Sequence, residues 1–137
     1  MGNFSVRMRT NLLRGTFTPD AFTPPSEVQI ALTTKVPLAN SSVDELAEPI
    51  ADEYVRQTYP IGDAYWDETG FGELFNLEVV IFPTVLTTWG TIRGWAMVNQ
   101  ETNQCMVVGE LINSFIAVTG MVPILDAGVI TIGIYED

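Results

Sequence analysis

Polar and apolar residues alternate in short runs along most of the chain after residue 26, which is the pattern of half-buried β-strands. The predicted strands cover residues 27–33, 53–59, 74–82, 90–98, 104–111, 114–118 and 129–135. In the last run Ile130, Ile132 and Ile134 share one face, which is expected to enter the core. Short strands separated by turn residues at this spacing predict an all-β fold, either an antiparallel β-sandwich or a jelly-roll-like barrel.

The first 25 residues follow a different pattern. Phe4, Met8 and Leu12 recur at helical spacing, so residues 3–14 are predicted to form a short amphipathic helix with Gly15 as its C-cap. Residues 16–25 contain three prolines and no periodicity, which indicates an extended linker. We therefore expect two parts, a helix and extended arm over residues 1–25 and a β-sandwich domain over residues 26–137.

Turn and loop signals separate the predicted strands. Polar residues at 99–103 predict a hairpin turn, and Asp126 to Gly128 predict another. Residues 34–53 are expected to form a long surface loop, with one helical turn within 43–51. Its acidic residues offer oxygen ligands of the kind that calcium prefers, although their spacing differs from a calcium-binding loop, so a calcium site is left open. These residues are Asp44, Glu45, Glu48, Asp52 and Glu53.

Charge is distributed unevenly. The net charge is −11, with 6 basic and 17 acidic residues, which argues against partners that are nucleic acids or anionic membranes. Residues 1–25 contain three arginines and one acid, whereas residues 26–137 contain three basic residues and 16 acids. The basic segment either docks on an acidic neighbour or simply exposes its arginines to solvent. Only 17% of residues are charged and 47% are hydrophobic, so an oligomer or an assembly subunit is expected.

Residue types that support catalysis are scarce. The chain has no histidine and a single cysteine, Cys105, which removes the commonest general base and the commonest metal ligands. No cofactor, no metal and no enzymatic activity are therefore expected. The most apolar stretch, residues 111–125, is too short to span a membrane and is interrupted by Asn113, Gly120 and Pro123.

Two aromatic groups are candidates for binding. In the first, Asp63 and Asp67 flank Tyr65 and Trp66, an arrangement that fits a glycan site, and less well a carboxylate-based hydrolase. In the second, a regular strand would place Trp89, Thr91, Arg93 and Trp95 on one face, with Ile92 and Ala96 on the other. Trp89 and Ile92 are expected in the core, whereas Trp95 is assigned equally to core or interface. The candidate interface residues are Phe4, Arg7, Arg9, Leu12, Leu13, Arg14, Arg93 and Trp95.

Several segments, taken in order, resemble a family of small virion structural proteins of tailed bacteriophages. They are NLLRGTFTPDAFTPPSEVQIALTTKVP, EYVRQTYPIGDAYW, LEVVIFP, TTWGTIRGWAMVN, VVGEL and AGVITIGIY. Each motif alone is weak, but their order and spacing cover nearly the whole chain. The resemblance implies a structural role in the particle, on the capsid exterior or in the tail and fibre apparatus, and brings no catalytic residues.

Two roles follow from these observations. The first is a capsid decoration or cement protein that binds itself and other virion proteins, such as the major capsid protein, with residues 1–25 packed on a neighbouring subunit. The alternative is a tail or tail-fibre adhesion module that binds host surface glycans through Asp63, Tyr65, Trp66 and Asp67. Both place the protein in the virion, on the capsid surface or, in the alternative, on the tail.

Overall fold

Strands dominate the computed structural model, which describes residues 2–19, 23–70 and 72–133. Within these residues one α-helix, α1 (Val6–Phe17), and a 3₁₀ turn (Val43–Glu45) accompany ten strands. The strands are β1 (Gly2–Phe4), β2 (Glu27–Thr33), β3 (Gln57–Pro60), β4 (Trp66–Glu68), β5 (Glu73–Asn76), β6 (Val80–Ile81), β7 (Gly90–Asn99), β8 (Gln104–Ala117), β9 (Ile124–Leu125) and β10 (Thr131–Gly133). Ile134, predicted to enter the core, lies outside the described residues.

Eight of the strands form a single large sheet, in the order β3-β2-β7-β8-β1-β10-β5-β4. Its neighbours are antiparallel with one exception, the parallel pair of β1 and β10. The remaining strands, β6 and β9, pair into a small antiparallel sheet. The all-β prediction is confirmed, whereas the expectation of wholly antiparallel pairing is wrong at β1, which the sequence pattern did not reveal as a strand.

The core lies between the large sheet and the small one. Alternate residues of β2, namely Val28, Ile30 and Leu32, are fully buried in the main cluster. Val80 of β6 and Leu125 of β9 join the same cluster from the small sheet. A second, smaller cluster lies on the other face of the large sheet and contains Ala31, Leu46, Ala96, Val98, Cys105 and Val108.

The two ends of the large sheet meet, which gives it a curled, barrel-like shape. Tyr59 on β3 packs edge-on against Trp66 on β4, with ring centroids 5.2 Å apart. The indole Nε1 of Trp66 also donates a hydrogen bond to the carbonyl oxygen of Pro60, 3.1 Å away. Since β3 and β4 are the edge strands, these contacts cover edges that would otherwise expose unpaired backbone.

A large irregularity interrupts the pairing of β7 and β8. Ile92 lies opposite Phe115, yet Gly94 lies opposite Glu110, so residues 111–114 of β8 are accommodated against Arg93 alone. The sequence predicted two separate strands with a break at this place, and the structure shows one strand with a bulge. The bulge also changes which residues of β7 share a face. Ile92 and Trp95, which were expected on opposite faces, both enter the main core cluster.

The strand predicted over residues 74–82 divides into β5 and β6 because Asn76 turns the chain. Its side chain is fully buried, and both its oxygen and its nitrogen form hydrogen bonds. The Oδ1 atom accepts from the amides of Gly128 and Ile130, at 3.0 and 2.9 Å. The Nδ2 group donates to the carbonyls of Glu78 and Asp126, at 2.8 and 3.2 Å. Asn76 therefore fastens the exit of β5 to the turn that precedes β10.

Other strand boundaries differ by a few residues. β2 matches the predicted 27–33, whereas the strand predicted at 53–59 begins only at Gln57 and continues to Pro60. Strand β4 was not anticipated. β10 begins at Thr131, two residues later than predicted, and Ile130 and Ile132 are buried as expected.

The N-terminal segment is attached to the chain's own sheet. β1 pairs with both β8 and β10, and Met8 of α1 is buried in the main cluster. The expectation that residues 1–25 pack on a neighbouring subunit instead of their own body is therefore wrong for β1 and α1. Gly15 lies inside α1, not at its C-cap, because the helix continues to Phe17. The division of the chain after residue 25 stays a prediction.

Candidate interaction surfaces

Ser5 fixes the position of α1 relative to the sheet. Its hydroxyl accepts from the amide of Met8 at 3.0 Å, which caps the helix N-terminus. The same hydroxyl donates to the carbonyl of Cys105 at 2.6 Å, and the Ser5 amide donates to the carbonyl of Met106 at 2.8 Å. One buried serine thus begins the helix and ties its first turn to β8.

Helix α1 has an inner and an outer apolar face. Met8 and Leu12, four residues apart, pack with the core, and Phe4 of β1 packs beside them. Three further apolar side chains, spaced i, i+7 and i+11, lie on the opposite side and are exposed: Val6, Leu13 and Phe17, the last of them 79% exposed. We call these three residues the outer stripe.

The structure divides the candidate interface residues into three groups. Phe4, Leu12 and Trp95 serve the chain's own core, and Trp95 is only 1% exposed, so its assignment to an interface is wrong. Arg7, Leu13, Arg14 and Arg93 are exposed, and Arg9 is half-buried. Arg93 and Trp95, which were expected on one face of β7, are separated, since Arg93 is exposed and Trp95 is buried. The sequence analysis missed Val6 and Phe17, which a helical wheel carried beyond Arg14 would have placed beside Leu13.

The aromatic side chains proposed to bind glycans mostly take part in the contacts between β3 and β4, the two edge strands of the large sheet. Tyr65 and Trp66 are half-buried against the core, and both rings meet Tyr59 edge-on. Asp63 and Asp67 are exposed beside them. The glycan role of Asp63, Tyr65, Trp66 and Asp67 stays a prediction. What the structure shows for Trp66 is that its indole nitrogen is engaged within the chain.

The loop predicted at residues 34–53, which we call the acidic loop, is tied to Arg56 by an ion pair with Glu48. Both carboxylate oxygens of Glu48 accept from the Arg56 guanidinium, through Nε at 2.9 Å and Nη2 at 2.8 Å. The hydroxyl of Tyr54 donates to Glu48 at 2.8 Å and accepts from the amide of Leu32 at 3.1 Å, beyond the end of the β2–β3 pairing. Burial, reinforced by Glu48, raises the pKa of Tyr54 far above its usual value. The hydrogen bonds that Arg56 donates to Glu48 likewise raise the pKa of Arg56.

Glu53 fastens the acidic loop to the segment before β7. Its Oε1 atom accepts from the amides of Leu86 and Thr87 and from the indole of Trp89, at 2.8 to 3.0 Å. Backbone hydrogen bonds, that of Thr87 first, lower the pKa of Glu53 to about 2. Across the described ranges, no three acidic or cysteine side chains gather in a group able to hold a metal ion. Those ranges likewise contain no helix with the length and apolarity to cross a membrane.

A groove of about 520 Å³ lies where three segments meet, and we call it the polar groove. Its walls are the first turns of α1, the loop 39–43 and the turn that joins β7 to β8. It is lined mainly by amide and hydroxyl side chains with a single charged residue, Arg7. Those side chains are Ser5, Thr10, Asn11, Asn40, Ser41, Ser42, Asn103 and Gln104. Apart from Arg7, the sequence analysis singled out none of these residues.

The curled sheet therefore carries a helix with an exposed apolar stripe and, beside it, a polar groove. The family model described as podophage GP4 fiber I protein gp80 matches residues 3–133, and the chain belongs to this family. It is thus a phage virion structural protein, which confirms the resemblance noted from the sequence. Comparison with curated proteins gives no significant match.

Proposed function

We propose that this protein is a structural subunit of a podophage tail fibre and that it acts without a catalytic step. The observation that carries the proposal is the family match, which runs from β1 to β10 and so covers the whole folded unit. The family description names a fibre, and it therefore favours the tail alternative over the capsid decoration role that the sequence analysis preferred.

A subunit of a fibre needs surfaces that remain apolar until they are covered by a neighbour. The outer stripe of Val6, Leu13 and Phe17 is such a surface, because its residues are exposed while the opposite face of α1 is already packed. Burial of these side chains in an interface would remove apolar area from water at about 25 cal/mol per Å².

The partner proposed for the outer stripe is a second copy of this chain, and charge complementarity supports this choice. Residues 2–19 contain Arg7, Arg9 and Arg14 and no acidic residue. Residues 26–137 contain 16 acids and three basic residues, so a neighbouring copy offers an acidic surface to the basic helix. A contact between unlike surfaces of two copies is heterologous, and heterologous contacts build rings or filaments.

The strength of one such contact is expected to be low. A 12-residue helix is about 18 Å long, and its stripe supplies only part of the ~800 Å² per partner that a stable interface usually buries. Several contacts acting together within a fibre would reinforce one another. Self-association of the isolated chain should therefore appear only at high protein concentration.

Sedimentation velocity at protein concentrations up to about 1 mM tests the contact. A dimer with an association free energy of about −4 kcal/mol becomes populated at that concentration. The wild-type chain should associate, and less so in ~0.5 M salt, which screens the arginines. The double variant Leu13→Ser/Phe17→Ser should stay monomeric. Ile112→Ser, which removes an even more exposed apolar residue from the β8 bulge, is the control. A monomeric wild type, or equal loss in the control, would contradict the proposed contact.

The location is tested separately. Phage heads and tails can be separated after mild disruption, and the chain quantified in each fraction by mass spectrometry. The proposal expects the protein in the tail fraction. Recovery with heads alone would instead support the capsid decoration role.

A further inference from the structure

The polar groove has the size and the rigid walls of a ligand site. Its volume of about 520 Å³ falls within the range of about 300–1,000 Å³ that small-molecule sites occupy. The Val6 amide donates to the carbonyl of Ala39 at 3.0 Å, which holds the loop against the helix. Ser5 joins the helix to Cys105 on the third wall at 2.6 Å. These bonds set the distance between the walls before any ligand arrives.

Four carboxamide side chains line this groove, from Asn11, Asn40, Asn103 and Gln104. None of the four has a side-chain hydrogen bond to another residue within 2–19, 23–70 or 72–133. Each carboxamide presents two N–H donors and one acceptor oxygen in a plane. Neighbouring hydroxyls of a sugar ring both donate and accept, so they match this set of groups. The hydroxyl of Thr10 adds a further acceptor.

The charge of the groove limits which classes of ligand it can bind. Among residues 2–19, 23–70 and 72–133, no acidic side chain lines this groove, and the one charged lining residue is Arg7. A guanidinium binds a carboxylate through paired, charge-assisted hydrogen bonds. The net charge of −11 disfavours a polyanion. In the part of the chain that the structure describes, no aromatic side chain lines the groove, so a nucleobase has no ring on which to stack.

We propose that the polar groove binds a saccharide unit that carries one carboxylate, such as a uronic acid residue. Arg7 pairs with the carboxylate, and the carboxamides of Asn11, Asn103 and Gln104 bind the ring hydroxyls. This site adjoins the outer stripe at Val6, which lines the edge of the groove, and it is separate from the aromatic group at 63–67. It does not depend on where the protein lies in the virion.

Two probes that differ only in the carboxylate test the proposal: methyl β-D-glucuronide and methyl β-D-glucoside. Each is titrated into ¹⁵N-labelled full-length chain, and the side-chain amide signals of Asn11, Asn103 and Gln104 are followed by NMR. A single sugar unit should bind with a Kd of about 1 mM. The glucuronide should shift these signals at lower concentration than the glucoside.

Substitutions test whether the sugars bind in the polar groove. Arg7→Gln should weaken glucuronide binding about tenfold and leave glucoside binding unchanged, a difference of about 1.4 kcal/mol. Asn11→Ala should weaken both probes. Arg93→Gln, which removes an exposed arginine far along the chain on β7, should weaken neither. The proposal is overturned by unshifted amide signals at about 50 mM probe, by equal affinity for the two sugars, or by equal effects of the two arginine substitutions.

Discussion

The indole ring of Trp95 lies against the backbone of Gly109, its partner across the β7–β8 ladder. The ring extends over β8 to Gly2 on β1, so one side chain of β7 packs across two neighbouring strands. A Cβ atom at either glycine would overlap the ring. The absence of side chains at these two positions is therefore what allows the largest core residue to be 99% buried within its own chain.

Gly109→Ala should destabilise the fold by about 1–3 kcal/mol, because the added methyl group must displace Trp95 in a packed core. Urea unfolding followed by tryptophan fluorescence measures the change. Gly15→Ala, the same substitution inside the exposed part of α1, should instead stabilise the protein by about 0.5–1 kcal/mol. Two substitutions with effects of the same sign would show that Trp95 does not require the glycine.

Asn76→Ala should cost about 2–4 kcal/mol. The substitution leaves the Ile130 amide and the Glu78 carbonyl without a partner, and each buried unsatisfied group costs about 1–3 kcal/mol. The Gly128 amide and the Asp126 carbonyl each keep one backbone hydrogen bond. Thermal unfolding measures the loss. Asn113→Ala, at an exposed position in the β8 bulge, is the control and should change stability by less than about 0.5 kcal/mol. Equal melting temperatures for the two variants would be inconsistent with a pinning role for Asn76.

Glu53 should make stability depend on pH at the acidic end. Its pKa in the folded chain is about 2, below the usual value of 4.5, so its contribution is complete above about pH 4.5. That contribution is lost as the pH falls from 4.5 towards 2, because protonation weakens the hydrogen bonds from Leu86, Thr87 and Trp89.

Comparison with Glu53→Gln isolates this contribution. Glutamine keeps one acceptor oxygen but no charge, so the wild-type chain should be more stable at neutral pH, and the difference should shrink between pH 4.5 and 2. Urea unfolding at several pH values measures it. Asp52→Asn removes a charge from the exposed neighbouring residue and should change stability by less than about 0.5 kcal/mol. A difference between wild type and Glu53→Gln that does not vary with pH would refute the assignment.

Tyr59→Phe should cost about 1–2 kcal/mol while the aromatic contact with Trp66 remains. The hydroxyl of Tyr59 donates to the carbonyl of Tyr65 at 2.8 Å and accepts from the amide of Glu78 at 3.1 Å. Phenylalanine removes both bonds between the two ends of the sheet. Tyr65→Phe is the control, since its hydroxyl has no partner within the described residues, and it should cost less. The free energy of unfolding in urea checks both.

The sequence predicted those strands whose side chains alternate strictly. β2 is flanked by β3 and β7 and buries every second residue in the main cluster, so its pattern and its boundaries agree. The run at 74–82 looked equally continuous, but the side chain of Asn76 forms a hydrogen bond with the backbone of a turn 50 residues away. Such a long-range hydrogen bond leaves no mark in a local pattern.

The candidate surfaces were less predictable than the fold. Phe4 and Leu12 were expected at an interface, because an apolar face on a short helix does not reveal which body it covers. The polar groove is assembled from α1, residues 39–43 and residues 103–105, which are distant in sequence. Each of these segments reads as an ordinary polar turn or helix surface when taken alone.

Cryo-electron microscopy of intact phage particles tests the central claim, a tail-fibre subunit that docks through its helix. The account predicts density for the curled eight-stranded sheet in a fibre at the tail, with Val6, Leu13 and Phe17 covered by a neighbouring copy of the same chain. Density for this protein on the head, or a fibre in which the outer stripe faces solvent, would contradict it.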